Sequence, residues 1–272
     1  MKSIEQIEKL SDEKFQRIFG VKRNIFFLML DKLNQQFIDS HKKGGRPPKI
    51  NTLNRLCIFF AYYKNYLTME DIASEYEISV STTYDIIRLV EKTLFSCEEF
   101  QLPNKHNLTW CSSNWRYRMW NSSCKKKASE FYSGKKKKYK QKAQIVIDYS
   151  TTEILSVDFS GGRTHDFKLF KQSNLPLSEY TCVLVDKGYQ GIKKIHANSL
   201  HPIKRRKKIP LTDSQRAYNL LISRLRFIIE RVNGILKRFR ILSSKYRNAP
   251  QTFIRTFLLI CGLHNFQHHM KN

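Results

Sequence analysis

The stretch Ala143-Gln-Ile-Val-Ile-Asp148, Tyr149-Ser-Thr-Thr152, Glu153-Ile-Leu-Ser-Val-Asp-Phe159 decides the fold class. Two short β-forming runs flank a turn-forming link, so they predict a hairpin, and Gly161-Gly162 ends its second strand. Working outward, Thr164–Gln172 reads as a short helix, and Tyr180–Val185 is a third apolar run that stops at Asp186-Lys-Gly-Tyr-Gln-Gly191. A weaker strand is expected near Leu200–Ile203, before the basic run Lys204–Lys208. Thr212-Asp-Ser-Gln215 is a capping box. It opens the longest expected helix, whose apolar stripe runs Ala217, Leu220, Leu221, Leu225, Ile228, Ile229, Val232, Ile235, Leu236, Phe239. A further apolar helix, Phe253–Leu263, follows. A hairpin, another strand and then long helices define an α/β domain with a mixed sheet over 101–272.

Upstream the pattern is all helical. Ile7, Leu10, Phe15, Ile18, Ile25, Phe26, Leu28, Met29 and Leu33 give helical spacing across 4–40. His41–Ile50 carries two Gly and two Pro and reads as an extended basic linker. Arg55–Tyr66 is again apolar with helical spacing. Thr68-Met-Glu-Asp71 can cap a second helix that buries Ile72, Ala73 and Tyr76. After Glu77-Ile78-Ser79 a third helix, Ser81–Leu94, presents Tyr84, Ile87, Val90 and Leu94 on one side. Helix, short turn, helix over about 50–96 fits a helix-turn-helix unit within an N-terminal region 1–100. Ser79, Ser81, Thr82 and Thr83 would then start the recognition helix, where short hydroxyls reach phosphates or base edges. An ordinary helical pair with capping Ser and Thr has the same pattern. The linker Gly44-Gly-Arg-Pro-Pro-Lys49 favours DNA, because Arg46 and Lys49 in an extended arm suit a narrow minor groove.

Charge points the same way. The chain has 272 residues and a formal net charge of +26. Residues 1–100 hold 15 basic and 14 acidic side chains, and residues 101–272 hold 34 and 9. So lopsided a chain implies a polyanion, and nucleic acid is the expected partner. Lys135, Lys136, Lys137 and Lys138, with Arg205, Arg206, Arg238 and Arg240, are the expected phosphate contacts. No 18-residue apolar stretch, lipidation signal or signal peptide is present, so no membrane partner is expected. Cysteines 57, 97, 111, 124, 182 and 261 form no Cys-x-x-Cys pair, which implies reduced thiols in the cytoplasm.

Of the nine acids after residue 100, two stand out. Asp186 follows an apolar strand, at the carboxyl end where α/β folds place their sites, and Gly188 permits a tight exit. Glu230 lies beside the apolar stripe of the long helix. Two carboxylates on a strand and a helix suit Mg²⁺, a hard cation that takes oxygen ligands. Such ions activate a water or a 3′-hydroxyl and stabilise a leaving oxygen. Structural roles stay open: Asp186 as a turn-former, Glu230 as a partner of Arg226 one turn earlier.

Together these motifs resemble bacterial insertion-sequence transposases of the DDE-superfamily endonuclease type, related to the Harbinger group. The matching stretches are Gly44–Lys49, Phe131–Lys137, Gly161–Phe170, Val185–Gly191, His201–Lys204, Ile229–Leu242, Lys245–Asn248 and Gly262–Phe266. The resemblance implies a ribonuclease-H-like catalytic domain that holds Mg²⁺ (or Mn²⁺) with an Asp, Asp, Glu triad and acts on double-stranded DNA, the element's terminal repeats and target. It also implies a homo-oligomer on DNA, at the bacterial nucleoid. Asp186 matches the second Asp, Glu230 the Glu, and Asp166 in Thr-His-Asp a supporting position whose simpler role is a first-turn helix acid.

The chain departs from the family where the first Asp belongs. Thr109–Cys124, TWCSSNWRYRMWNSSC, holds no acid, and Trp115 falls near the expected Asp. Thr109–Gln144 has no Val, Ile or Leu, so no first strand is expected there. A segment translated out of frame between two compensating indels accounts for this composition. Asp148 is a conceivable stand-in, though the family's order puts it on the second strand. Two functions follow: a metal-dependent transposase impaired by loss of the first Asp, or a catalytically inactive, sequence-specific DNA-binding protein.

Overall fold

A computed structural model of the chain describes residues 4–42, 44, 48–104, 115–123, 132–133, 138–205 and 209–270. For 115–123, 132–133, 138–141 and 250 it describes the backbone alone. Two compact units result, Met1–Gln101 with Lys237–Ser244 and Arg255–Asn272, and Leu102–Leu236 with Lys245–Ile254. The first therefore holds the expected N-terminal region and also takes in two pieces that the sequence had put with the second part.

In the first unit the expected helical run 4–40 is three helices, α1 (Ile4–Glu8), α2 (Asp12–Phe19) and α3 (Arg23–Ser40). Local chemistry sets the breaks. Ser11 caps α2 by accepting from the Lys14 amide, and Gly20, at φ 79°, ends it in the left-handed conformation. α4 (Thr52–Phe60) runs into a π-helical turn, Ala61–Asn65. α5 (Met69–Tyr76) starts with the expected capping box and ends at Glu77, φ 52°. α6 (Val80–Ser96) follows with Ser79 as its cap. Rings of Phe15, Phe19, Phe26 and Phe60 pack at centroid distances of 4.6–5.7 Å, and this cluster forms much of the unit's core. α10 (Arg240–Ser243) and the part of α11 (Pro250–His269) from Arg255 onward complete it.

The second unit is built on a sheet. β1 (Trp115–Ser123), β2 (Tyr132–Ser133), β3 (Lys138–Asp148), β4 (Ile154–Gly161), β5 (Val183–Leu184) and β6 (Ser199–Leu200) are its described strands. The hairpin β3–β4 is antiparallel, with Ile145 opposite Val157. β1 corrects the expectation that no strand lies in 109–144. It pairs antiparallel with β3 along nine residues and parallel with β5 through Trp115↔Val183 and Arg116↔Leu184. Trp and Tyr are good strand formers, and a ladder of backbone bonds needs no aliphatic side chain. β5 and β6 are parallel, so the order is β4-β3-β1-β5-β6, with β2 on the outer end of β3. Of the runs expected as strands, 180–185 contributes two paired residues, Val183 and Leu184, and 200–203 only Leu200, which pairs beside Ser199 just before it. α7 (Asp166–Gln172) packs Phe170 with Val146, Leu155, Val183, Val185, Tyr189 and Ile192 in the core. The expected single long helix is two, α8 (Asp213–Leu225) and α9 (Phe227–Lys237), broken at Arg226.

Candidate active site and nucleic-acid interface

Asp186 stands two residues beyond β5, in the turn closed by the Tyr189 amide donating to the Asp186 carbonyl. Its carboxylate accepts from the Lys187 amide at 2.7 Å and pairs with the Arg226 guanidinium at 3.3 Å. Arg226 is largely buried, and its Nε has no partner among the described residues. The residue that breaks the helix is thus the one that reaches the strand end. Glu230 follows one turn later: its amide donates to the Arg226 carbonyl at 3.3 Å, and its side chain is exposed. Residues four apart share a helix face, so Glu230 stands on the side of α9 that carries Arg226, the partner of Asp186.

Asp166 opens α7, and its carboxylate accepts from Lys142 at 2.9 Å. The same ammonium donates to the Thr164 carbonyl at 2.6 Å. Gly188 lies directly against this carboxylate, since a Cβ there would fall 2.8 Å from Asp166 Oδ2. Beneath both acids is Tyr189, fully buried, whose hydroxyl donates to Gln144 at 3.3 Å. Burial, then the neighbouring Asp166 and Asp186, push the Tyr189 phenol far above its usual value. Lys142 and Gln144 line this site and were not signalled by the sequence, because a Lys or Gln within a strand looks like any outward polar residue. Asp148 is a turn-former: its Oδ1 accepts from the Ser150 and Thr151 amides inside the β3–β4 turn.

Asp186 and Glu230 offer the oxygen donors Mg²⁺ takes. Among the described residues, however, no group of three His, Cys, Asp or Glu comes together to hold a metal ion.

Of the expected DNA contacts, Ser81 and Thr82 are exposed at the start of α6, both hydrogen-bonded to the Ser79 hydroxyl. Thr83 is not: it is completely buried and donates to the Ser79 carbonyl at 3.1 Å, so helix geometry turns it to the core. Lys49 donates to the Glu77 carbonyl at the end of α5, at 2.9 Å. Arg205, Arg238 and Arg240 are exposed. Arg46, Lys135, Lys136, Lys137 and Arg206 lie outside the described residues, as does the side chain of Lys138. No described helix is long and apolar enough to cross a membrane.

A helix-turn-helix at one end of the chain and Asp186 just beyond a central strand of the other unit's sheet point to a class of DNA-acting proteins, and the comparisons agree. The model of the DDE superfamily endonuclease matches residues 119–265, and that of its helix-turn-helix matches 48–97. The chain belongs to this family, as an insertion-sequence transposase with an N-terminal helix-turn-helix. It is 35% identical to the probable transposase for insertion sequence element IS702 of Microchaete diplosiphon, over 98% of this chain and 99% of that protein.

Proposed function

We propose that the chain binds the ends of an insertion element through α5–α6 and its basic surfaces, with phosphodiester cleavage lost or severely impaired. One observation carries this reading: Trp115–Ser123, the strand between β3 and β5, contains no acid. The order β4-β3-β1-β5-β6, with β3 antiparallel and β5 and β6 parallel to β1, supports a ribonuclease-H-like domain, in which Asp186 and Glu230 are the second and third acids. Family members use divalent metals, and Mg²⁺ or Mn²⁺ is the ion expected here. Loss of a carboxylate ligand removes several kcal/mol of transition-state stabilisation, enough to abolish detectable turnover. Recognition does not need that ligand. Ser81 and Thr82 meet one DNA groove, while Lys49, Arg205, Arg238, Arg240 and the Lys135–Lys138 run neutralise phosphates. Asp166, held by Lys142 against Gly188, keeps a supporting role beside Asp186.

The test is a nicking assay on the element's ends with Mg²⁺ or Mn²⁺, beside Asp186→Ala. The expected result is a retarded duplex with no nick from either protein. Nicking by the unaltered chain that Asp186→Ala abolishes would overturn the loss of cleavage. The nucleotide sequence checks the cause: an alternative frame over codons 109–124 should encode an Asp between strand-forming residues.

A further inference from the structure

In the first unit a cleft of about 430 Å³ is lined by Glu13, Gln16 and Arg17 of α2, Lys64 of the π-turn, and Arg238. None of these residues belongs to α5 or α6. A Cβ on Gly20 would meet Lys64 Cδ at 2.9 Å and the Phe239 ring at 3.2 Å, so the lysine stem crosses the bare glycine at the end of α2. Gly20 sits at φ 79°, so its lack of a side chain serves both the helix end and the passage of Lys64. Burial of the ammonium, then Arg240 and Arg238, disfavour its charge. Three cations line the cleft against one carboxylate, and among the described residues no ion pair joins Glu13 to any of them. The C-terminal carbonyls of α2 offset part of this repulsion. The remainder is what a bound polyoxyanion would relieve, with Arg as a forked donor and Lys as a point charge.

We propose that this cleft receives a phosphate of the DNA backbone, held by Lys64, Arg17 and Arg238, as a contact separate from the α5–α6 pair. The proposal rests on the DNA-binding reading and names a phosphate subsite for it. Binding of the full chain to a random-sequence duplex is measured across salt concentrations, beside Lys64→Met/Arg238→Gln. Methionine keeps the apolar stem over Gly20 and removes the charge. Each neutralised phosphate adds about 0.9 to the salt slope, so the double variant should show a slope shallower by about one unit. A control, Lys9→Met/Arg255→Gln, removes two exposed charges elsewhere in the same unit and should leave the slope as it was. In a second arm, inorganic phosphate at matched ionic strength should raise the Tm of the unaltered chain over chloride, and raise that of the double variant less. A duplex still bound, with equal slopes for double variant and control, overturns the cleft alone. Absence of duplex binding by the unaltered chain overturns the DNA reading itself. Phosphate stabilisation that survived there would make the source a free phosphate, and the proposal would fail in its DNA form.

Discussion

At the scale of single residues, two glycines do what no other side chain could. Gly262 in α11 lies so close to Phe100 that a Cβ would stand 1.7 Å from the Phe100 carbonyl oxygen. A backbone carbonyl cannot swing aside as a side chain does, so Gly262→Ala is expected to cost about 3 kcal/mol or more, read as a collapse of the cooperative thermal transition. Gly188 differs in kind, because its neighbour is a carboxylate tip. That tip is tied to Lys142, so Gly188→Ala is expected to cost only about 1–2 kcal/mol and to lower the Tm by a few degrees. Asp186 and Glu230 could be singled out from the sequence as candidates because few acids remain after residue 100 and one follows an apolar run. Lys142 and Lys64 were not, since the backbone that brings them to Asp166 and Gly20 folds across long separations.

Elements divide along the same line between local and distant causes. The β3–β4 hairpin and the α5 and α8 caps were readable because alternation, turn residues and a Thr followed three places later by Asp or Gln act within a few residues. Thr68 Oγ1 accepts from the Asp71 amide at 3.1 Å, and Asp71 answers by accepting from the Thr68 amide at 3.2 Å. Thr68→Ala is therefore expected to cost about 1 kcal/mol, measured as a fall in denaturant midpoint with an unchanged slope. β1 was not readable: without Val, Ile or Leu, its strand character comes from partners on both sides. The break at Arg226 also escaped, because the apolar stripe continues across it unbroken.

For the molecule as a whole, composition named the partner and the chain's path redrew the boundaries. Of the formal charge of +26, residues 101–272 carry +25, a clear sign of a polyanion partner, since such charge is otherwise self-repelling. Affinity for any duplex should fall steeply with added salt, and a flat titration would count against nucleic acid. The two-unit division was only half visible, because nothing local marks 237–244 and 255–272 as belonging with the first hundred residues. A fragment ending at Gln101 would lack the helix whose Phe266 ring sits 5.4 Å from that of Phe100. It is expected to be degraded quickly in limited proteolysis, whereas the full chain resists. The DNA-reading half is thus gathered from segments far apart in the chain, and a product cut short before α11 is expected to yield no free-standing competitor for the element's ends.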